Sequence, residues 1–147
     1  MENLTMAKSR DQQLDEMLDR EAIKDLPARY CHYVWTKNLE GVLSLFTEDG
    51  LFSSGGVGPS HEIKGQAALR TFYASEPDRV GARPFIHNIV IELKSPTQAT
   101  GHAYLELRSA AQQMKWMGTG YYEDEYEKVG GQWKFKSRRF KMVHSEM

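Results

Sequence analysis

The stretch that decides the fold is the most strand-like segment of the chain, Arg83-Pro84-Phe85-Ile86-His87-Asn88-Ile89-Val90-Ile91-Glu92-Leu93. Its apolar residues recur at every second position, as they do in a strand with one buried face. The row on that face consists of Phe85, His87, Ile89, Ile91 and Leu93. One imidazole therefore interrupts an apolar row. It is either a catalytic group that faces a pocket or a hydrogen-bonded histidine of the core.

The segments after this stretch predict an antiparallel meander. Turn residues divide the second half of the chain into four strands, Arg83–Leu93, Ala99–Ser109, Lys115–Glu127 and Gln132–Val143. Strands of this length are commonly curved and often contain bulges. We therefore expect one long, curved antiparallel sheet.

The first half of the chain predicts helices. From Asp11 onward apolar residues recur at helical spacing, and Pro27 predicts a kink or a break near residues 24–26. Asn38 is a candidate N-cap for a second, short helix, and 66–73 has the pattern of a third. Between these helices we expect short strands at 51–53 and 61–64 and a glycine-rich loop at 55–59. Helices followed by a meander predict the α+β class, with the helices on one face of the sheet.

Composition limits the possible functions. The 147 residues are enough for one core, and we expect a flexible arm at 1–10 and a single domain at 11–147. The net charge of −1 gives no general attraction to nucleic acid or to an anionic membrane. The single cysteine, Cys31, excludes an internal disulfide, and no long apolar segment is present. These features predict a soluble, cytoplasmic protein that binds neither nucleic acid nor a membrane.

A series of short motifs follows in a fixed order over residues 20 to 143. The motifs are Ala28-Arg29-Tyr30, Leu43-x-Leu45-Phe46-Thr47-Glu48-Asp49, Ile63-x-Gly65-x-x-Ala68-Leu69-x-x-Phe72, His87-Asn88 with Ile91-Glu92, Ala99-Thr100-Gly101, Gly120-x-Tyr122-x-Asp124-x-Tyr126 and Gly131-x-Trp133-Lys134-Phe135. In this order they resemble the SnoaL-like branch of the nuclear-transport-factor-2-like superfamily, which includes ketosteroid isomerases, scytalone dehydratase and bile-acid dehydratases. The resemblance implies a cone in which a strongly bent sheet and a long helix enclose a pocket.

The resemblance also implies a set of site residues. Dehydratases of this type use a tyrosine and an aspartate from the first helix and a histidine from a long strand. Tyr30 and His87 match the tyrosine and the histidine, but the aspartate position falls on Trp35 and a second acidic position falls on Leu107. The usual histidine–aspartate pair is therefore missing from the sequence.

From these residues we expect His87 to act as general base or acid and Tyr30 to donate a hydrogen bond to a carbonyl or a developing oxyanion. The alternative for Tyr30 is a helix aromatic that packs on the sheet with its hydroxyl satisfied. The residues expected to line the pocket are Trp35, Val34, Phe52, Phe85, Ile89, Leu105, Leu107, Trp116 and Tyr122.

The strand 99–109 has two different faces. Small and aliphatic residues alternate with polar ones, so that His102 and Glu106 are expected on the outer face. The resemblance implies that this face packs against a second subunit in a homodimer or a higher oligomer. If the faces are reversed, Glu106 becomes the missing carboxylate.

Several other sites are not supported by the sequence. The five histidines show no HxxH or HxxxH spacing, so we expect no metal, and no glycine motif predicts a bound cofactor. A basic cluster includes Lys134, Lys136 and Arg138, which alternate on one strand. Glutamates on the preceding strand predict that this cluster forms ion pairs across a solvated sheet face.

Two hypotheses follow. The first is a cofactor-independent lyase or isomerase that carries out dehydration, isomerisation or cyclisation on an apolar, ring-containing substrate. The second is a non-catalytic module that binds a small ligand or supports an assembly and has lost the catalytic aspartate. An open cavity of several hundred Å³ with His87 at its floor favours the enzyme. A cavity collapsed around Trp35 favours the module.

Overall fold

A computed structural model describes residues 7–55 and 61–146, without the side chains of residues 76–80. Most of the predicted arm at 1–10 and of the predicted loop at 55–59 lies outside these residues. The elements, in chain order, are α1 (Arg10–Trp35), α2 (Leu39–Ser44), β1 (Phe46–Gly55), β2 (Glu62–Lys64), α3 (Gln66–Val80), β3 (Ala82–Ser95), β4 (Gln98–Ser109), β5 (Lys115–Val129) and β6 (Gln132–Ser145). The predicted α+β class is confirmed, and each predicted helix and strand has a counterpart.

The strands of the described residues form one six-stranded sheet in the order β2-β1-β6-β5-β4-β3. The sheet is curved and does not close into a barrel. β3 to β6 form the predicted antiparallel meander. The expectation of an entirely antiparallel sheet is wrong in one place, because β1 pairs with β6 in parallel. The long connection from β1 to β6, which includes α3 and the strands β3 to β5, allows β1 to join β6 in this direction.

A kink or a break was predicted near residues 24–26; α1 is one continuous helix, so the break is wrong. Ser9 and Gln12 form a capping box at its start. Pro27 is buried among the residues that α1 turns toward the sheet, and this packing stabilises the helix across the missing backbone hydrogen bond. The end of α1 is a Schellman motif, in which the backbone N–H of Asn38 donates to the carbonyl of Tyr33 at 2.8 Å.

The core lies between the helices and the concave face of the sheet. Ile23 of α1 and Leu69 of α3 are fully buried there, together with Phe135 of β6. The N-cap predicted at Asn38 is confirmed, since its side chain accepts a hydrogen bond from the N–H of Gly41. Among the described residues, no helix combines the length and the apolarity needed to cross a membrane.

Candidate functional site

An apolar cavity of about 160 Å³ opens between the helices and the concave sheet face, and we call it the sheet cavity. The elements α1, β1, α3, β3, β4, β5 and β6 all contribute to its wall. The described residues that line it are Tyr30, Val34, Phe52, Ser54, Phe72, Tyr73, Ala82, Pro84, Leu107, Tyr122 and Phe140. A cavity of this size holds a single ring, since an apolar void of about 150 Å³ is enough for benzene.

A hydrogen-bonded pair of tyrosines forms part of this wall. The hydroxyls of Tyr30 and Tyr73 lie 2.7 Å apart, and either oxygen can be the donor. The rings meet edge to face, with their centroids 5.9 Å apart. Tyr122 packs edge to face against Tyr30 as well, at 5.8 Å. These contacts fix the orientation of the two hydroxyls at the cavity.

The three cavity tyrosines remain neutral around pH 7. Burial raises the pKa of Tyr30 well above its usual value, and the neighbouring Tyr73 raises it further. Burial is also the main cause of the raised pKa of Tyr73 and of Tyr122. A neutral phenol donates a hydrogen bond but is a poor base, so these residues are suited to polarising a ligand oxygen.

A buried ion pair lies directly behind the tyrosines. Arg138 Nε donates to Asp124 Oδ1 at 3.0 Å, and neither side chain is exposed. The Arg138 Cζ atom lies 3.5 Å from the Tyr122 ring centroid and 4.4 Å from that of Tyr30. The hydroxyl of Tyr126 donates to the other carboxylate oxygen of Asp124. Burial raises the pKa of Asp124, and the charge of Arg138 opposes this effect.

The predicted exposure of Arg138 is wrong. The register of β5 and β6 shifts between the pairs Glu125–Ser137 and Tyr126–Phe135, and this irregularity reverses the alternation of β6. Arg138 therefore faces the core. Its Nη1 and Nη2 atoms have no hydrogen-bond partner among the described residues, and the guanidinium contacts aromatic faces instead.

The predicted position of His87 is also wrong. The pairing of β3 with β4 shifts between Ile86 and Ile89, so that His87 and Asn88 oppose the single residue Tyr104. His87 is turned to the outer face of the sheet, with its side chain 56% exposed. The prediction placed His87 on the wrong face because it assumed strict alternation of the side chains through this bulge.

On the outer face, His87 Nε2 lies 3.2 Å from Glu106 Oε2. The carboxylate that sequence reasoning considered as an alternative partner does meet the histidine, but away from the sheet cavity. A hydrogen bond from Arg108 is the main cause of the lowered pKa of Glu106, and His87 contributes less. The expected outward position of Glu106 and His102 on β4 is confirmed.

The other residues predicted for the pocket fall into two groups. Tyr30, Val34, Phe52, Leu107 and Tyr122 line the sheet cavity. The other five, Leu105, Ile89, Phe85, Trp116 and Trp35, do not line it. Leu105 belongs to the hydrophobic core, and the partly buried Ile89 packs against it. Phe85 is partly exposed, and Trp116 stacks on His144.

Trp35 contacts the cavity residue Pro84 but does not line the sheet cavity. Its indole N–H donates to the carbonyl of Pro84 at 2.8 Å, and its ring packs edge to face on Phe85. Pro84 is the β3 residue that reaches the cavity at this point, opposite Leu107 of β4. In the described part of the chain, β3 and β4 thus present no ionisable side chain to the sheet cavity.

Sequence reasoning missed several lining residues. Tyr73 and Phe72 of α3 both reach the cavity. Phe140 and Pro84 were missed because the bulges in β6 and β3 change which residues face inward. The helical spacing from Leu69 to Tyr73 was a usable signal for Tyr73.

A second cavity, also of about 160 Å³, lies between the helices, and we call it the helix cavity. Its wall includes Tyr33, Lys37 and Asn38 at the end of α1, and Leu39 and Val42 of α2. Val34 and Tyr73 line both cavities. Among the described residues, no group of three or more His, Cys, Asp or Glu is placed to hold a metal ion.

The chain is similar to one protein family and to several solved structures. The sequence profile of the SnoaL-like domain family matches residues 15–139. A protein of unknown function from Mycobacterium tuberculosis is 31% identical in sequence and superposes with a TM-score of 0.77. The alignment covers 95% of this chain and 78% of the Mycobacterium tuberculosis chain.

Two more distant structures share the fold. An NTF2-like protein with a cystatin-like fold from Novosphingobium aromaticivorans is 18% identical, with a TM-score of 0.81 and coverage of 96% of this chain and 92% of that one. A hexachlorocyclohexane dehydrochlorinase from Novosphingobium barchaimii is 20% identical, with a TM-score of 0.78 and coverage of 90% and 92%.

Proposed function

The chain belongs to the SnoaL-like domain family, and on that premise we propose that it binds a small, ring-sized, largely apolar molecule in the sheet cavity. The observation that carries the proposal is the pair formed by Tyr30 and Tyr73 in the wall of an apolar cavity. A ligand pocket of this kind combines apolar walls with a few fixed polar groups. The ligand is therefore a single ring with one hydrogen-bond acceptor, such as a carbonyl.

Binding is the function that the geometry supports best, because the described cavity contains donors and no base. Its ionisable side chains are those of Tyr30, Tyr73 and Tyr122. Burial raises the pKa of each, so they donate hydrogen bonds at neutral pH. The histidine expected to serve as the base lies outside the sheet cavity.

The test compares two probes of nearly equal size by calorimetry, cyclohexanone and cyclohexene. We expect the ketone to bind about five- to tenfold more tightly, since one hydrogen bond contributes about 1 kcal/mol. The double variant Tyr30→Phe/Tyr73→Phe removes both hydroxyls of the pair and should reduce the preference for the ketone.

The matched control is Tyr104→Phe, which removes a hydroxyl from the outer face of the same sheet. It should leave both affinities unchanged. If neither probe binds the wild-type protein, the proposal is wrong.

Small-molecule catalysis is the second candidate, favoured by the shared fold with a dehydrochlorinase and by donors placed to polarise a carbonyl. Here the tyrosine pair would stabilise the negative charge of an enolate, and hydroxide from solvent would accept the α-proton, because the described cavity wall contains no base. Exchange of the α-protons of cyclohexanone in D₂O, followed by NMR, measures this chemistry directly. If the protein exchanges these protons no faster than buffer does, acid–base catalysis on cyclohexanone is excluded.

The exchange assay also tests the expected catalytic role of His87. His87→Gln should leave any exchange rate unchanged, because the histidine lies on the outer face. A loss of exchange in this variant would show that His87 takes part in the reaction.

We further propose a homodimer that forms through the outer face of the sheet. The rings of His102, Tyr104 and Tyr121 form a partly exposed group there, with the two tyrosine centroids 5.7 Å apart. Aromatic side chains are enriched in the centres of interfaces. Tyr104→Glu should shift the protein from dimer to monomer in analytical ultracentrifugation, and a monomeric wild-type protein would contradict this proposal.

A further inference from the structure

Tyr122 of β5 combines a buried ring with a hydroxyl that has no protein partner. The residue is 4% exposed and forms part of the wall of the sheet cavity. Its hydroxyl makes no hydrogen bond to the described residues, yet the fully buried side-chain atoms without a partner are Nη1 and Nη2 of Arg138. The Tyr122 hydroxyl therefore keeps accessible surface, and the sheet cavity is the described cavity that this residue borders.

The other two cavity tyrosines have already used part of their hydrogen-bonding capacity. Tyr30 and Tyr73 share one hydrogen bond of 2.7 Å, so one of their two hydroxyl protons lies between them and the other remains for a ligand. Tyr122 keeps its single proton for the cavity. The cavity therefore offers a ligand two protons, one from the pair and one from Tyr122.

The guanidinium of Arg138 distinguishes these two donors. Its Cζ atom lies 3.5 Å from the ring centroid of Tyr122 and 4.4 Å from that of Tyr30. A cation on the face of a phenol ring favours negative charge on the phenol oxygen, so it strengthens the hydroxyl as a hydrogen-bond donor. This effect is larger in a buried, apolar environment than in water. Tyr122, which lies nearer to the cation, gains more from it than Tyr30 does.

The carboxylate of Asp124 does not cancel this effect. Burial is the main cause of the raised pKa of Tyr122, and Tyr30 raises it further. The charge of Arg138 lowers this pKa, and it acts more strongly than Asp124, which raises it. At the Tyr122 hydroxyl, the buried ion pair therefore acts mainly as a cation.

We infer that Tyr122 is the principal hydrogen-bond donor to the ligand oxygen and that Arg138, stacked on its ring, is the positioning residue that makes it the stronger donor. The inference rests on the proposed function and names the residue that selects a ketone over a hydrocarbon of the same size. A ring with a strongly accepting oxygen, such as a ketone, gains most from a donor of this kind.

The donor is tested by the affinity of cyclohexanone relative to cyclohexene, measured by calorimetry. Tyr122→Phe should lower this preference about fivefold, as expected for one hydrogen bond. Tyr30→Phe/Tyr73→Phe should lower it by only about twofold. The affinity for cyclohexene reports the shape of the cavity and should change little in either variant. Tyr104→Phe, on the outer face, is again the control and should leave the preference unchanged.

The role of Arg138 is tested with Asp124→Asn/Arg138→Met, which removes both charges so that neither stays buried alone. Asp124→Leu/Arg138→Met serves the same purpose if the first variant does not fold. The readout is the NMR signal of cyclohexanone labelled with ¹³C at the carbonyl, which moves downfield as its hydrogen bond strengthens. The bound signal should move upfield in the charge-free variant, while the affinity for cyclohexene stays within about twofold. Arg138→Lys keeps the charge and should retain more of the downfield shift.

The outcomes separate the two proposals. If cyclohexanone fails to bind the wild-type protein, the proposed function is wrong and the inference falls with it. If cyclohexanone binds but Tyr122→Phe keeps the preference for the ketone, or loses less of it than the double tyrosine variant does, the assignment of the donor is wrong and the proposed function stands. An unchanged carbonyl signal in the charge-free variant would overturn the role of Arg138.

Discussion

At the scale of single residues, Asp124 and Arg138 form a fully buried ion pair. Both side chains are fully buried, and the Arg138 Nη atoms already lack hydrogen-bond partners among the described residues. A buried pair of this kind adds little net stability compared with apolar residues of the same shape. Removing one member is costly because it leaves the other charge buried and alone.

We therefore predict that Asp124→Asn lowers the free energy of unfolding by about 3–5 kcal/mol, measured by urea denaturation. Glu123→Gln, at the neighbouring position on β5, is the matched control and should change it by no more than about 0.5 kcal/mol. A loss below about 1 kcal/mol for Asp124→Asn would show that the pair is more hydrated than the structure indicates.

The buried tyrosines predict a loss of stability at high pH. Burial raises the folded-state pKa of Tyr30, Tyr73, Tyr122 and Tyr126 above the ordinary value of 10.0. Since the unfolded chain binds fewer protons above this value, the stabilisation is complete below pH 10 and is lost as the pH rises further.

The measurement follows phenolate absorbance and unfolding together in an alkaline titration. Fewer than the seven tyrosines of the chain should ionise while the protein stays folded, and the rest should ionise as it unfolds. Ionisation of all seven in the folded state would contradict the buried positions.

At the scale of elements, local irregularities decide which side chains face the ligand. Sequence periodicity placed β3, β4, β5 and β6 within a few residues of their observed bounds, but a period of two cannot include a bulge. The shifts in β3 and β6 moved His87 out of the expected site and brought Arg138 into the core. Neither shift has a glycine or proline at the bulge itself to signal it.

The end of α1 gives a prediction for an element boundary. Lys37→Gly should raise the free energy of unfolding by up to about 1 kcal/mol, because glycine adopts the left-handed region without a Cβ clash. Gln113→Gly, also at φ +56° but in the β4–β5 connection, is the matched variant and should have a similar effect on stability.

Urea denaturation measures the effect of both variants. A loss of stability in Lys37→Gly would contradict the backbone cost assigned to this position.

At the scale of the whole molecule, the fold was predictable from the sequence and the site was predictable only in part. The order of helices and strands and the motif series were enough to predict an α+β cone. Tyr30, Val34, Phe52, Leu107 and Tyr122 surround the cavity because long, regular elements carry them. The position of Tyr73 depends on how α3 packs against α1, where its hydroxyl meets that of Tyr30, and no single periodic pattern contains that information.

The measurement that tests the central claim most directly is the affinity of cyclohexanone for two variants, determined by calorimetry. Leu107→Trp fills the sheet cavity, and His87→Gln changes the outer face that the sequence first suggested. We predict that Leu107→Trp weakens binding by about tenfold or more while His87→Gln leaves it unchanged. Unchanged binding in folded Leu107→Trp, together with a loss in His87→Gln, would contradict a ligand site in the sheet cavity.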